Sequence, residues 1–256
     1  MPAVEVGGRS LAYLGGPSGD PRAVPLVCIH GAGGAAAMWP QVHVAFRDER
    51  AVYALDLPGH GRSAPLDGRI TLDRYADTVT GFLDAVGIER AVVVGHSMGG
   101  GIALSLALEA PGRVAGLVLV GTGAKLGVAP ETMDLLERDP DAAVERICRL
   151  AYGPAASEAM LARAIAEMRK TPSEVLRADF RACQTFDVRG RLGEIGIPAL
   201  VLVGEADVLT PPRFAAFLAD HIAGAALVVV PGVGHMLPVE APGAFASAVR
   251  PFVRAL

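Results

Sequence analysis

Short runs of apolar, mostly branched residues recur along the chain and are separated by glycine-rich loops and by stretches with helical spacing. Pro25–Ile29, Ala51–Leu57 and Val114–Val120 are such runs. Continuous apolar runs of this length predict strands that are buried on both faces of a sheet. Thr71 is a potential capping residue, and after it apolar positions recur every three or four residues as far as Val86. This spacing predicts a helix. This alternation indicates a parallel sheet with helices on both faces.

A different pattern occupies the middle of the chain. Between Glu131 and Arg189 there is a single glycine, Gly153, and charged residues are frequent. Apolar residues there follow helical spacing and predict amphipathic helices. The four predicted helices lie at 130–138, 140–151, 157–170 and 172–186. The strand pattern resumes at Ala199–Gly204, so these helices form an insert within an α/β domain.

Composition excludes several classes of protein. Hydrophobic residues make up 52% and charged residues 20% of the chain, which predicts a folded globular protein. The formal net charge of −4 lacks the basic excess of nucleic-acid-binding proteins. Cys28, Cys148 and Cys183 have no C-x-x-C spacing, which favours reduced thiols and a cytoplasmic location. Gly, Pro and His interrupt the apolar stretches, so we expect no membrane span, and the first residues do not resemble a signal peptide.

The segment Gly95–Gly99 fits the pattern G-x-S-x-G and lies between a predicted strand and a predicted helix. A serine at such a sharp turn is exposed at the end of the sheet, and its small neighbours prevent collisions with adjacent strands. An ordinary glycine-rich turn is the alternative explanation. The strand–turn–helix setting favours Ser97 as a catalytic nucleophile.

A serine hydroxyl needs a general base that is itself oriented by a carboxylate. Asp207 and His235 each follow a predicted strand, and therefore lie at the same edge of the sheet as Ser97. The chain order Ser, Asp, His is the order expected for this motif. Glu205, two residues earlier, is an alternative acid, although we expect its side chain to point the other way from the strand end.

These motifs and two further loops resemble those of the α/β-hydrolase superfamily. The matching segments are His30–Gly34, Asp56–Ser63, Gly95–Gly100, Gly204–Asp207 and Gly234-His235. The resemblance implies an α/β-hydrolase fold, with a mostly parallel eight-stranded sheet and helices on both faces. It implies a core domain formed by residues 1–127 and 190–256, with a helical cap or lid at 128–189 inserted after the sixth strand.

The resemblance also implies roles for individual residues. Ser97 would be the nucleophile, His235 the general base and then acid, and Asp207 its orienting partner. The backbone N–H groups of Ala32 and Met98 would form the oxyanion hole. No metal or organic cofactor is required by this chemistry.

A serine at position 97 argues against dehalogenases and epoxide hydrolases, whose nucleophile in this superfamily is aspartate. We expect cleavage of a small carboxylic ester or lactone, with no partner beyond this acyl substrate; the sequence leaves monomer or homodimer open. A carbon–carbon bond hydrolase of diketone-type substrates and a ligand-binding or signalling protein without turnover are the alternatives. Aromatic candidates for substrate binding, each of which can instead be a packing residue, are Trp39, Tyr152, Phe180 and Phe186.

A dinucleotide site is a competing interpretation of one loop. Gly31–Ala36 also fits G-x-G-x-x-A, and Asp56 closes the next strand where a ribose-binding acid can lie. Pro40 follows closely and would break the helix that such a site needs. A dinucleotide site also leaves Ser97, Asp207 and His235 unexplained, so the hydrolase interpretation is preferred.

Overall fold

The computed structural model describes residues 1–256 and contains one sheet of eight strands. The strands are β1 (Ala3–Val6), β2 (Arg9–Gly16), β3 (Leu26–Ile29), β4 (Val52–Leu55), β5 (Ala91–His96), β6 (Val114–Val120), β7 (Ala199–Gly204) and β8 (Ala226–Val230). Their spatial order is β1-β2-β4-β3-β5-β6-β7-β8. The two pairings of β2 are antiparallel, and all the others are parallel. The predicted eight-stranded, mostly parallel sheet is confirmed.

Ten α-helices surround or follow the strands. They are α1 (Pro40–Phe46), α2 (Leu72–Ala85), α3 (Met98–Glu109), α4 (Pro130–Arg138), α5 (Pro140–Ala151), α6 (Glu158–Met168), α7 (Ser173–Thr185), α8 (Pro212–His221), α9 (Leu237–Glu240) and α10 (Pro242–Arg254). None of them is long and apolar enough to cross a lipid bilayer.

The sheet separates two hydrophobic cores, as alternate residues of β3 show. Val27 and Ile29 belong to one core, together with residues of α2, α3 and α8. Leu26 and Cys28 belong to the other core, together with residues of α1 and α10. Successive side chains of a strand point to opposite faces, so a strand that is apolar throughout is buried on both sides.

Local sequence determines where several helices begin. The side chain of Thr71 accepts a hydrogen bond from the amide of Arg74 and caps α2, as the sequence predicts. Asp139 and Ser157 cap α5 and α6 in the same way. These hydroxyl and carboxylate oxygens satisfy amides that have no acceptor within the helix.

Helices α4 to α7 lie between β6 and β7 in chain order and form the predicted helical insert. Their bounds differ from the predicted ones by no more than two residues at either end. The insert has a small apolar core of its own, which includes Leu136, Ile147 and Leu176. We call α4–α7 the inserted helices.

Pro40 has a role that the sequence interpretation missed. It is the first residue of α1 and does not break a helix. Proline is favourable at the first helical position, because the amide that it lacks would have no intrahelical acceptor there. The preceding Gly31–Ala35 segment forms a loop and a turn and starts no α-helix.

Candidate active site

Ser97 occupies the sharp turn between β5 and α3. It is the only non-glycine residue with a positive φ, at φ 55° and ψ −119°. Its amide donates to the carbonyl oxygen of Val120 at 2.9 Å, and the hydroxyl of Thr122 donates to its carbonyl oxygen at 2.8 Å. Backbone strain of this kind costs about 1–3 kcal/mol and persists where the surrounding structure holds it.

Close packing explains the glycines on either side of this serine. A Cβ atom on Gly99 would lie 2.3 Å from the carbonyl oxygen of Ile29. A Cβ atom on Gly95 would lie 2.2 Å from the carbonyl oxygen of Gly99. Both distances are far below van der Waals contact with backbone atoms that cannot move aside. The G-x-S-x-G spacing is therefore a packing requirement of this turn.

Asp207 and His235, which follow β7 and β8, form a buried pair. Nδ1 of His235 lies 2.8 Å from Oδ2 of Asp207, and the Thr210 hydroxyl donates to the same oxygen at 2.7 Å. The amides of Leu209 and Thr210 donate to Oδ1 at 2.9 and 2.8 Å. Every polar contact of this carboxylate thus orients it towards the imidazole.

The electrostatics of this pair determine the tautomer of His235. Burial raises the pKa of Asp207, but hydrogen bonds from His235 and Thr210 outweigh it, and the net pKa is lowered. An ionised Asp207 requires a proton on Nδ1 of His235, which leaves Nε2 as the basic nitrogen. The imidazole is therefore oriented as a proton acceptor.

Ser97 and His235 both line a cavity of about 420 Å³. Most of its other lining residues are apolar. They come from the loops at the carboxyl ends of the strands and from the inserted helices, which contribute Ile147, Leu150 and Phe180. The arrangement places a serine and an oriented base at the wall of a largely apolar cavity.

Two backbone amides are placed near this serine. Ala32 lines the cavity, and its amide donates no hydrogen bond to another backbone group. Met98 is the first residue of α3, a position whose amide has no acceptor within the helix. Both amides are therefore available to an oxygen of a ligand.

The model of the alpha/beta hydrolase family matches residues 26–248. The chain belongs to this family. Among its curated relatives is the dihydrolipoyllysine-residue acetyltransferase component of the acetoin cleaving system of Pseudomonas putida, 36% identical over 93% of this chain. This hydrolase spans only 65% of the length of that relative.

Two further relatives match over almost their whole length. The pimeloyl-[acyl-carrier protein] methyl ester esterase of Nitrosomonas europaea is 31% identical, covering 87% of this chain and 92% of the esterase. The structure of Est816, an N-acyl homoserine lactone degrading enzyme, is 31% identical and has a TM-score of 0.88. That match covers 98% of this chain and 100% of Est816. By family the chain is an alpha/beta hydrolase, and these two relatives, an esterase and a lactone-degrading enzyme, are hydrolytic enzymes.

Of the four aromatic residues predicted to bind substrate in this hydrolase, only Phe180 lines the cavity. Trp39, which follows the loop that contains Ala32, is fully buried, and its ring lies 6.3 Å from that of Phe245. Phe186 packs into the core beneath α3, and Tyr152 lies outside the cavity lining. The sequence shows which residues are apolar or aromatic. It does not show whether each of them meets the cavity or the hydrophobic core.

Glu205, the alternative acid, is exposed and accepts a hydrogen bond from the amide of Gly232 at 3.1 Å. It makes no contact with His235, whose carboxylate partner is Asp207. No group of three or more His, Cys, Asp or Glu side chains is placed to bind a metal ion.

A second buried cluster was missed by the sequence analysis. Asp179 of α7 has no exposed surface, and its two oxygens lie 2.8 Å from Nε2 of His60 and from the hydroxyl of Tyr75. Burial lowers the pKa of His60, but the charge and hydrogen bond of Asp179 outweigh it, and the net pKa is raised. The partners lie 104 and 119 residues from Asp179 in the chain, so no local pattern could have revealed them.

Proposed function

We propose that this hydrolase cleaves small carboxylic esters or lactones through an acyl-enzyme intermediate on Ser97. One observation carries the proposal: the strained Ser97 and a His235 held by Asp207 line the same cavity. Serine is a weak nucleophile unless a neighbouring base removes its proton. The three residues then act as nucleophile, general base and orienting acid.

In the proposed reaction, Oγ of Ser97 attacks the carbonyl carbon while Nε2 of His235 accepts the serine proton. His235 returns this proton to the leaving alcohol as the ester bond breaks. Water then attacks the acyl-enzyme, again with His235 as the base, and releases the carboxylic acid and free Ser97. Asp207 stays ionised and stabilises the imidazolium that forms in each step.

The tetrahedral intermediate carries a negative oxygen that needs hydrogen-bond donors. The amides of Ala32 and Met98 are the proposed donors, and each such donor contributes about 10²–10³ in rate. The chemistry uses only side chains and backbone groups of this chain, with no metal or organic cofactor.

We further propose that residues 128–189 act as a cap over the active site. The cavity walls support this proposal, since α5 and α7 contribute residues to the lining. A cavity walled in this way suits a small acyl compound better than a polymer. Two relatives, a methyl ester esterase and a lactone-degrading enzyme, support the choice of ester and lactone substrates.

A substrate panel tests this proposal. We expect the wild-type protein to hydrolyse short p-nitrophenyl esters or lactones, and Ser97→Ala to abolish that turnover. Turnover of a vinylogous diketone alone would replace the proposal with carbon–carbon bond hydrolysis. Binding of these compounds without any turnover would instead indicate a ligand-binding protein on the same fold.

A further inference from the structure

One positively charged residue lines the cavity and is not used by the proposed reaction. Arg146 of α5 lines it together with Ser97 and His235. No Asp, Glu or Lys contributes to the lining. Arg146 is also exposed to solvent, so an anionic ligand would meet its charge where the cavity reaches the surface, with no opposing carboxylate in the lining.

Arg146 differs from most arginines of the inserted helices, because it has no partner within the protein. Residues 130–185 contain seven arginines, five of which form ion pairs with Asp or Glu: Arg138, Arg149, Arg169, Arg177 and Arg181. The adjacent Glu145 pairs with Arg149 at 3.0 Å. Arg163 is also unpaired, but it does not line the cavity.

Arg146 shares its helix with residues that reach the reacting groups. Ile147, Leu150 and Ala151 of the same helix line the cavity, and the carbonyl oxygen of Ala151 accepts a hydrogen bond from the amide of His235 at 2.8 Å. Five residues of α-helix span about 7.5 Å along the axis. The backbone of Arg146 therefore lies about this distance along the helix axis from Ala151, the residue that contacts His235.

We propose that Arg146 binds a carboxylate at the far end of the substrate, so that the preferred substrates are monoesters or lactones carrying a free carboxylate. A guanidinium matches a carboxylate with two parallel hydrogen bonds. The apolar walls between Arg146 and Ser97 suit the methylene chain that joins the two ends. This inference rests on the proposed function, since it names the substrate class of the same site.

A pair of substrates that differ in one charge tests the inference. The probes are p-nitrophenyl hydrogen adipate, which has a free carboxylate, and its neutral methyl ester. We expect Arg146→Gln to lower the ratio of kcat/KM for the acid to kcat/KM for the neutral ester about ten-fold, mainly through KM. Raising the ionic strength should lower the wild-type ratio, because salt screens a partly exposed charge pair.

Two further variants separate binding from general effects. Arg149→Gln removes a charge from the same helix but outside the cavity lining, and the ratio should stay at the wild-type value. Arg146→Lys keeps the charge but loses the two-point geometry, so we expect a ratio between wild type and Arg146→Gln. A ratio that Arg146→Gln leaves unchanged, or that Arg149→Gln lowers equally, would overturn the inference.

If neither ester is hydrolysed, ligand binding to the Ser97→Ala variant still tests the inference. Calorimetry with monomethyl adipate should then show binding that the added Arg146→Gln substitution weakens about ten-fold. That result would support the carboxylate site while the proposed hydrolysis fails. Hydrolysis of both esters with a ratio independent of Arg146 would overturn the carboxylate site and leave the proposed function intact. If the protein shows no hydrolysis and no Arg146-dependent binding, both the proposed function and the carboxylate site are overturned.

Discussion

Asp179 accepts a hydrogen bond from the backbone amide of Gly33 at 3.0 Å. This contact ties α7, an inserted helix, to the loop that contains Ala32. The hydroxyl of Thr171 donates to the carbonyl oxygen of the same glycine at 3.1 Å, so both sides of Gly33 are held. Ala32 immediately precedes Gly33, so these contacts restrain the loop that carries the Ala32 amide. We therefore expect Asp179 to act as a positioning residue for the proposed oxyanion hole.

Replacing Asp179 with Asn should lower kcat about 10- to 100-fold for a neutral ester, with KM changing less than about two-fold. The amide group of Asn cannot accept hydrogen bonds from Gly33, His60 and Tyr75 together, so the loop loses a fixed partner. Steady-state kinetics on the folded fraction measures this effect. Tyr75→Phe is the matched control, since it removes one donor and keeps the contact with Gly33. An unchanged kcat in folded Asp179→Asn would contradict the positioning role.

The acid of the proposed triad can be tested with two neighbouring carboxylates. Asp207→Asn should lower kcat by up to about 10⁴, because an amide favours the wrong tautomer of His235. Glu205→Gln should leave kcat near the wild-type value, since Glu205 is exposed and contacts only the amide of Gly232. The reverse pattern would move the acid from Asp207 to Glu205.

The nucleophile turn should tolerate no side chain at Gly99. In Gly99→Ala, the new Cβ would lie 2.3 Å from the carbonyl oxygen of Ile29, so we expect a loss of about 3 kcal/mol or more in the free energy of unfolding. Gly190→Ala is the control, because nothing lies within 4 Å of its Cβ position. Urea denaturation compares the two variants, and equal stabilities would argue against the close approach of the turn to β3.

Stability should depend on pH through three buried histidines. Burial, reinforced by a nearby histidine, lowers the pKa of His30 and of His96 to about 3. In the unfolded chain both titrate near 6.5, so between these values the unfolded chain binds more protons, and acid favours unfolding. The free energy of unfolding should fall by about 1.4 kcal/mol per pH unit for each of them as the pH drops below 6.

His60 acts in the opposite direction, because its pKa is raised in the folded protein. Its contribution to stability is complete below about pH 6.5 and is lost as the pH rises through its raised pKa. Together the three residues predict a stability maximum near pH 6.5. Urea denaturation between pH 5 and 8 checks this curve, and a stability that does not change from pH 6 to pH 5 would show that His30 and His96 do not stay neutral.

The sequence predicts the sheet and the inserted helices well, because apolar periodicity and capping residues act locally. Thr71, for example, caps α2 from three residues away. The sequence predicts fewer of the contacts between segments that are distant from each other in the chain. Asp179 lies 146 residues from Gly33, and nothing near either residue indicates their contact. Trp39 is aromatic and close to the oxyanion loop, so the sequence allows either substrate binding or packing behind the loop, and the contact with Phe245 shows the packing.

The central claim, that Ser97 is the nucleophile activated by His235, is tested most directly by covalent labelling. A fluorophosphonate reacts with activated serines, and intact-protein mass spectrometry counts the groups attached. We predict one phosphonyl group per wild-type chain, located by peptide mapping on Ser97, and none on Ser97→Ala. An unlabelled wild-type protein, or a label that remains on Ser97→Ala, would contradict the claim.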